Sequence, residues 1–416
     1  MIFWTIIIYS TLFFGLYSSI FLLLTFFENK QGLENPKIKK FYDVAIIIPA
    51  YNEERGIGKT IESLLKLDYP KGKLKIIIVD DGSKDNTYKI AKRYENKNVL
   101  VLTKPNGGKA NSLNFALKRI NTDLVGCLDA DSYVDRDSLK KMIGFFEDEN
   151  VMVVTPSIKV GKARNLLQHI QRIEYLMGVY LRKVFAFLGS IHVTPGPFSI
   201  YRKFFLDKYG GWDETTMTED IELALRIQSK NFILENSIDA SVYTISPNNF
   251  KDLFKQRMRW YVGFINNVIK YKFLFSKKYG NLGIFILPSS FIFVGFSIMS
   301  LFYLTYKIIK EILEWNINLG VTNFEFLPTF RIMMNEFNYF SIHSFLIFTI
   351  VMMIFGVTAV YFGKKYSKET ESIGIFYIIF VLLYWMLFAF WWLIATIYKL
   401  FSINIRWGEA NGKTGS

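Results

Sequence analysis

Cysteine and histidine are scarce in this chain of 416 residues, which has one cysteine and three histidines. The single cysteine, Cys127, excludes an intramolecular disulfide, and its position in an apolar run predicts a buried core residue. One of the three histidines, His343, also lies in an apolar segment. A zinc site is therefore not expected, and a metal site would have to use oxygen ligands.

Charge is nearly absent from four long stretches, each long enough to cross a hydrocarbon core of ~30 Å. They are residues 2–27, 282–306, 339–362 and 373–398. The first is too long for the core of a signal peptide, and no small-residue cleavage site follows it, so we expect a retained membrane anchor. Residues 28–281 have the composition of a soluble domain.

The formal net charge of +14 comes from basic residues that are spread out and form no recognisable nucleic-acid motif, so nucleic acid is not an expected partner. Several flank the apolar stretches, namely Lys30, Lys37, Lys39 and Lys40 after the first and Lys270, Lys272, Lys277 and Lys278 before the second. The positive-inside rule then predicts that residues 28–281 are cytoplasmic. We expect a multi-pass protein of the cell membrane, with the lipid bilayer as a partner.

The basic residues near the carboxyl end give conflicting topology signals. The loop at 363–372 carries Lys364, Lys365 and Lys368, and the tail carries Lys399, Arg406 and Lys413, yet a single apolar stretch separates them. Either the tail lies outside, or one apolar segment is re-entrant or interfacial. Residues 320–337 and the break at Pro288 are two places where such a segment could arise.

Residues 43–155 alternate between short β-branched runs and helical stretches. The predicted strands are 44–49, 74–80, 98–102, 123–129 and 151–155, and the predicted helices lie near 56–66, 85–95, 109–120 and 137–148. Continuous apolar strands alternating with helices indicate an α/β domain with a mostly parallel, Rossmann-like sheet covered on both faces. Ligands of such sheets bind beyond the carboxyl ends of the strands.

Polar loops follow four of these strands: PAYNEE, DDGSKDNT, KPNGGKANSLN and DADS. Turn formation would explain any one of them, but four on one sheet edge favour a ligand site. In DADS, Asp129 and Asp131 can reach one divalent cation, and Mg²⁺ or Mn²⁺ suits carboxylate ligands shared with substrate phosphates. NGGKA places Lys109 at a helix start, which suits phosphate oxygens, although the segment is not a P-loop.

The ordered set NEE, DDGS, GGKANSLN, DADS, TED and QRMRW resembles the family 2 inverting glycosyltransferases over about 43–260. It is most similar to the processive membrane synthases of poly-N-acetylglucosamine, hyaluronan and cellulose. The resemblance implies a GT-A fold, a UDP-sugar donor with UDP-N-acetylglucosamine favoured, and a growing polysaccharide acceptor that is extruded across the membrane. The alternatives are a single addition to a polyprenyl-phosphate or other lipid, and a non-catalytic sensor or translocation subunit.

The resemblance also implies roles for particular residues. Uracil and ribose would contact Tyr51, Glu53, Asp80 and Asp81, and the nucleotide diphosphate would contact Lys109 and Asp129. Asp131 would be the principal metal ligand, with Asp129 beside it. The metal would neutralise charge on the leaving diphosphate.

TMTED would supply the general base. Asp220 would deprotonate the acceptor hydroxyl, because inversion needs one base in a single displacement, and Glu219 is assigned to the same catalytic pair. Thr216 and Glu219 also fit a capping box at the start of a helix, and both interpretations can hold together. VTPGPF at 193–198 stands where the family has a loop lining the acceptor site.

In QRMRW, helical spacing puts Gln256, Arg259 and Trp260 on one face and Arg257 on another, where it could face lipid. By resemblance, Arg259 would bind the diphosphate with its guanidinium fork. Trp260 would stack on the terminal acceptor sugar and Gln256 would help to position it. The tryptophan favours polymerisation over single transfer.

The expected organisation is a transmembrane helix at 1–28, a GT-A domain at 29–249, an interfacial region at 250–281, about three transmembrane helices at 282–400 and a tail at 401–416. Residues 164–189 are a second candidate interfacial helix, because their basic residues lie mostly off an apolar stripe. The tail from Trp407 to Gly415 resembles a gating loop, and a disordered tail fits equally well. Four spans are few for a sugar channel, so a small accessory subunit or a homo-oligomer is a further expectation.

Overall fold

The computed structural model describes residues 2–321 and 342–403. Most of the segment at 320–337 and most of the tail, including the gating-loop candidate, lie outside the described residues. The strands are β1 (Val44–Ala50), β2 (Leu74–Asp80), β3 (Val99–Thr103), β4 (Leu124–Cys127), β5 (Tyr133–Val134), β6 (Val151–Val160), β7 (Ile200–Arg202) and β8 (Ile233–Thr244). The helices are α1 (Ile2–Glu28), α2 (Ile57–Leu65), α3 (Thr87–Lys92), α4 (Lys109–Leu117), α5 (Ser138–Ile143), α6 (Leu166–Phe187), α7 (Lys203–Tyr209), α8 (Glu219–Ser229), α9 (Phe250–Lys270), α10 (Leu287–Val321), α11 (Ile342–Tyr366) and α12 (Gly374–Leu400).

The strands form one sheet in the order β3-β2-β1-β4-β7-β6-β8-β5. The first four in this order are parallel, whereas β7 runs antiparallel to both β4 and β6. β8 is parallel to β6. The sheet is therefore mixed but mostly parallel, and the α/β prediction is confirmed.

Apolar runs form the central strands because both faces of the sheet are buried. Alternate residues of β1 enter different cores, Ile46 and Ile48 on one face and Ala45 and Ile47 on the other. Full burial of an isoleucine side chain stabilises the fold by about 1.5–3 kcal/mol. The parallel register of β1, β2 and β4 brings the polar loops that follow them to the same edge.

Three described helices are long and apolar enough to cross a membrane: residues Tyr9–Glu28, Leu282–Ile317 and Gly374–Leu400. The chain therefore has the helices of a membrane protein. The second of these begins with a π-helical turn at Leu282–Ile286, before Pro288. The predicted segment at 339–362 overlaps α11.

Helix α12 packs against α6 and α9 from its first turn to its last. The ring of Phe376 stacks on His169 of α6, with ring centroids 4.0 Å apart. The ring centroids of Trp392 and of Tyr261 on α9 are 4.6 Å apart. At its end, Lys399 Nζ donates to Asn266 Oδ1 at 2.6 Å. Both ends of α12 thus lie beside helices of the sheet domain.

The loop between α11 and α12 is also attached to the sheet domain. Lys159 at the end of β6 donates to the backbone oxygen of Ser367, and both residues are buried. Arg172 of α6 lies 3.3 Å from a carboxylate oxygen of Glu371. The basic loop at 363–372 is therefore on the same side of α11 and α12 as the sheet.

Candidate active site

The carboxylate of Asp81, at the end of β2, organises the glycine turn before α4. It is 4% exposed, and its two oxygens accept hydrogen bonds from the backbone N–H groups of Gly107 at 3.0 Å and Gly108 at 2.8 Å. Lys104 forms an ion pair with the same carboxylate. Gly108 has a φ of 86°, which a residue with a side chain rarely adopts. Asp81 thus fixes the turn that presents Lys109.

Asp80 differs from Asp81 because only one of its oxygens is engaged. Oδ2 accepts from the Thr103 hydroxyl at 3.1 Å and from the Ser83 backbone N–H at 3.4 Å. Oδ1 is buried and has no hydrogen-bond partner among the described residues. Asp80 Oδ1 can therefore accept a hydrogen bond from an N–H group of a ligand.

The loop after β1 is bound to the loop after β2. The Asn52 backbone N–H donates to the Ser83 hydroxyl at 3.0 Å, and Asn52 Oδ1 accepts from the Lys84 backbone N–H at 2.8 Å. The Glu53 backbone N–H donates to the Thr87 hydroxyl at 2.7 Å. The predicted residues Tyr51 and Glu53 are half-buried and thereby held at the same sheet edge as Asp80.

A cavity of about 910 Å³ opens beyond the ends of the strands. Eight predicted site residues line it: Lys109, Asp129, Asp131, Glu219, Asp220, Gln256, Arg259 and Trp260. The other four, Tyr51, Glu53, Asp80 and Asp81, are not among its lining residues. The cavity extends to Phe293 and Ser297 of α10 and to Trp392 of α12. The same cavity is therefore lined by polar groups at the sheet edge and by apolar groups from the membrane helices.

Lys109 is the central cation of the polar end. Its Nζ lies 2.7 Å from Asp129 Oδ1 and 3.2 Å from Glu219 Oε1. Burial would lower the pKa of Lys109, but the charges of these two carboxylates outweigh it and hold the pKa well above its ordinary value. A Cβ atom at Gly196, in the VTPGPF loop, would collide with Lys109 Nζ, so a side chain there would displace the ammonium group.

Asp131 is a half-buried carboxylate with little compensation from neighbouring cations. Burial and the charge of Asp129 raise its pKa to about 6. A divalent cation would relieve both effects, so the pair Asp129 and Asp131 fits Mg²⁺ or Mn²⁺. In the described residues no cluster of three histidine, cysteine or acidic side chains is suited to a metal. The remaining ligands would have to be substrate and water oxygens, as is usual for Mg²⁺.

Asp220 lies at the start of α8, and its backbone is hydrogen-bonded to the VTPGPF loop at 193–198 (the acceptor loop). Its backbone oxygen accepts from the Thr194 hydroxyl at 2.7 Å, and its Oδ1 accepts from the Ile221 backbone N–H at 2.9 Å. Burial, followed by the charge of Glu219, raises the pKa of Asp220 to about 6. A pKa near neutrality suits a general base.

The capping box proposed between Thr216 and Glu219 does not form. Helix α8 begins at Glu219, its N-cap residue is Thr218, and no side-chain capping bond is made. Glu219 instead points to Lys109. Its carboxylate therefore belongs to the charge cluster of the site rather than to the helix end.

The interpretation of Arg257 as a lipid-facing charge is wrong. Arg257 is 2% exposed and forms two hydrogen bonds of 2.6 Å with the two carboxylate oxygens of Glu174 on α6. Its guanidinium carbon also lies 4.4 Å from the ring centroid of Trp260. Helical spacing predicted that Arg257 points away from Trp260, but its guanidinium lies over that ring, and α6 and α12 cover this face of α9. Glu174, which the sequence did not single out, lies beside the apolar stripe of α6.

We expect Arg257→Met to destabilise the protein by about 3–5 kcal/mol, because the change leaves Glu174 as an uncompensated, mostly buried charge. Thermal unfolding in detergent would measure this as a lower Tm. Lys255→Met is the matched control, since Lys255 is exposed on the same helix. Equal Tm values for the two variants would contradict the prediction. The double change Arg257→Met with Glu174→Met should recover part of the loss, because it removes both charges.

Comparison with known proteins shows what parts of this chain are similar to. Residues 45–210 match the family described as Glycosyl transferase family 2. The chain is 32% identical over 225 residues to the poly-beta-1,6-N-acetyl-D-glucosamine synthase of Staphylococcus aureus, covering 53% of this chain and 54% of that protein. This alignment therefore spans about half the length of that relative. The Staphylococcus epidermidis protein of the same name is 28% identical over 369 residues, covering 87% of this chain and 84% of its own.

One solved structure resembles nearly the whole chain. It is the mannosyltransferase PcManGT from Pyrobaculum calidifontis in complex with GDP-Man and Mn²⁺, with a TM-score of 0.56 and 16% identity, covering 95% of this chain and 99% of that one. At this identity the likeness concerns the fold alone. The predicted fold class is confirmed. The chain carries a family 2 glycosyl transferase domain and is homologous to the poly-beta-1,6-N-acetyl-D-glucosamine synthases.

Proposed function

We propose that this chain is an inverting glycosyltransferase that polymerises sugar units from a UDP-sugar, with UDP-N-acetylglucosamine favoured. The observation that carries the proposal is the cavity, which joins the carboxylates of Asp131 and Asp220 to Trp260 and to the membrane helices. The homology to poly-N-acetylglucosamine synthases supports the choice of sugar.

The donor would lie along the edge of the sheet. Asp80 Oδ1, buried and without a described partner, suits the imide N–H of uracil, and Tyr51 and Glu53 are close to the same edge. Lys109 and Arg259 supply positive charge for the diphosphate. Asp129 and Asp131 would hold Mg²⁺ or Mn²⁺, which would stabilise negative charge on the leaving diphosphate.

The transfer step needs one base on the acceptor side. A hydroxyl oxygen of the acceptor attacks the anomeric carbon, the bond from that carbon to the diphosphate oxygen breaks, and UDP departs. Asp220 takes the proton of the attacking hydroxyl. Glu219 lies beside the base and forms an ion pair with Lys109. It therefore links the base to the charged side chains that would bind the donor.

The acceptor would approach from the membrane end of the cavity. Trp260 offers a ring on which a sugar can stack, and Gln256 has a buried side-chain oxygen without a described partner. Side chains of α10 and α12 continue the wall of the cavity away from the sheet edge. This continuity supports a product that leaves the cavity on its membrane side, through this chain alone or together with an accessory subunit or a second copy of the chain.

We place the sheet domain on the cytoplasmic side, as the flanking lysines suggest. The contacts at both ends of α12 support an interfacial position for that helix. Its first turn touches α6 and its last residues touch α9, so it does not lead away from the sheet domain. With α12 in the interface, the loop at 363–372 and Lys399 at the end of α12 are on one side of the membrane, which accounts for basic residues at both ends of this helix.

The test is to incubate membranes with labelled UDP-N-acetylglucosamine, UDP-glucose, UDP-glucuronic acid or GDP-mannose and with Mg²⁺ or Mn²⁺. We expect incorporation from UDP-N-acetylglucosamine into a long, water-soluble polymer that a poly-N-acetylglucosamine hydrolase degrades. Membranes carrying the Asp220→Asn variant are the matched control. A product of one sugar that partitions into organic solvent would contradict the proposal and favour transfer to a polyprenyl-phosphate.

A further inference from the structure

Asn267, near the end of α9, is hydrogen-bonded to the loop that leads to Asp220. It is 2% exposed, and its Nδ2 donates to the Thr218 backbone oxygen at 3.1 Å and to the Thr218 hydroxyl at 2.9 Å. The Thr216 hydroxyl lies 3.2 Å from the same nitrogen. One side chain of α9 thus contacts the two threonines that precede Glu219 and Asp220.

Gly263 lies one turn earlier on the same face of α9. A Cβ atom at this position would collide with the hydroxyl and the methyl group of Thr218. The backbone of α9 therefore packs directly against Thr218, the residue at the N-cap position of α8. Gln256, Trp260, Gly263 and Asn267 follow one another at spacings of four, three and four residues, so they share one helix face.

Two further contacts hold the start of α8 in place. At the end of α9, the Tyr271 hydroxyl donates to Glu222 Oε1 of α8 at 2.6 Å in a buried environment. On the opposite side, the Thr194 hydroxyl donates to the backbone oxygen of Asp220. Asp220 is therefore held between the acceptor loop and α9.

We propose that Asn267 and Gly263 are positioning residues that set the location of Asp220 relative to Trp260. This inference rests on the proposed function. Helix α9 presents Arg259 to the donor and Trp260 to the acceptor. The same helix fixes the loop that leads to Asp220, so the base and the tryptophan on which the acceptor stacks form one rigid unit. Proton transfer requires that the base reach the acceptor hydroxyl, and a displacement of 1 Å can cost about 10²-fold in rate.

The first test compares two adjacent asparagines of α9. We expect Asn267→Ala to lower kcat about 10²-fold, since the loop of Asp220 loses its fixed position. The KM for the UDP-sugar and the Kd for UDP should stay near the wild-type values, because Asn267 is hydrogen-bonded to Thr216 and Thr218, which are not among the proposed donor contacts. Asn266→Ala is the control, since Asn266 accepts from Lys399 of α12 and does not touch the loop. Its kcat should equal that of wild type.

The second test uses the close approach at Gly263. Gly263→Ala should lower kcat in the same way, because the added methyl group displaces Thr218. Combining it with Thr218→Ala removes the hydroxyl and methyl groups that collide, so the double variant should have a higher kcat than Gly263→Ala alone. Because relief of the collision would also restore stability, kcat is measured per folded enzyme and the Tm of both variants is recorded beside it.

The outcomes separate the two proposals. If wild-type membranes transfer no sugar, the proposed function fails. If wild type is active and Asn267→Ala keeps a kcat equal to that of Asn266→Ala, only the positioning role is overturned. A parallel loss of UDP binding and kcat in Asn267→Ala, without rescue of Gly263→Ala by Thr218→Ala, would likewise overturn it, since the residues would then serve the fold as a whole.

Discussion

Asp220→Asn is expected to remove sugar transfer, with a loss of about 10²–10⁴-fold in kcat, while UDP binding persists. The amide has nearly the shape of the carboxylate but cannot accept the proton of the acceptor hydroxyl. The change also removes one of two adjacent negative charges, Glu219 being the other, so the site should not lose stability. Single-turnover transfer and equilibrium UDP binding would measure the two effects separately.

A matched control for this variant is Asp207→Asn. Asp207 is an exposed residue of α7 whose carboxylate pairs with Lys203, and it is absent from the cavity lining. Its kcat should equal that of wild type. Turnover by the Asp220 variant at the rate of the Asp207 variant would refute the assignment of Asp220 as the base.

Asp131→Ala is expected to abolish the part of UDP binding that depends on Mg²⁺ or Mn²⁺. Because we assign the metal to Asp129 and Asp131, removal of one leaves a single carboxylate that Lys109 already engages. The Kd for UDP with metal should rise to the value that wild type shows with EDTA. Calorimetric titration of UDP with and without the metal would measure this.

Asp135→Asn serves as the control for the metal prediction. Asp135 follows Asp131 by four residues and accepts from the Tyr243 hydroxyl at 3.3 Å, outside the cavity lining. Its metal-dependent UDP binding should equal that of wild type. Metal-dependent binding that persists in Asp131→Ala would show that the cation, if bound, is held elsewhere.

The parallel half of the sheet could be predicted because its strands are continuous apolar runs. Strands β1 to β4 lie within a few residues of the predicted bounds. Strand β7 has three residues, too few to give a pattern. Strand β8 contains polar residues that break its apolar run, and some of them hydrogen-bond to partners distant in sequence. Asn236, for example, donates to the Thr155 backbone oxygen of β6.

Site residues also divide into those that a sequence pattern reveals and those that depend on contacts between distant elements. Motif residues such as Asp131 and Trp260 could be assigned from a resemblance, and the structure lines one cavity with them. Asn267 belongs to no motif, and its importance depends on which loop α9 packs against. Arg257 was misjudged for the same reason, because helical spacing gives the direction of a side chain but not the element that it meets.

The packing of α12 on α6 and α9 limits how the enzyme can be divided for study. In the intact chain, Trp391 and Ala395 of α12 cover Leu253, Met258 and Val262 of α9. A fragment ending before α10 would expose those three side chains to water as a contiguous apolar patch, which favours aggregation. The nucleotide-binding half is therefore not a separable module. Biochemical work on this protein needs the whole chain in a lipid or detergent environment.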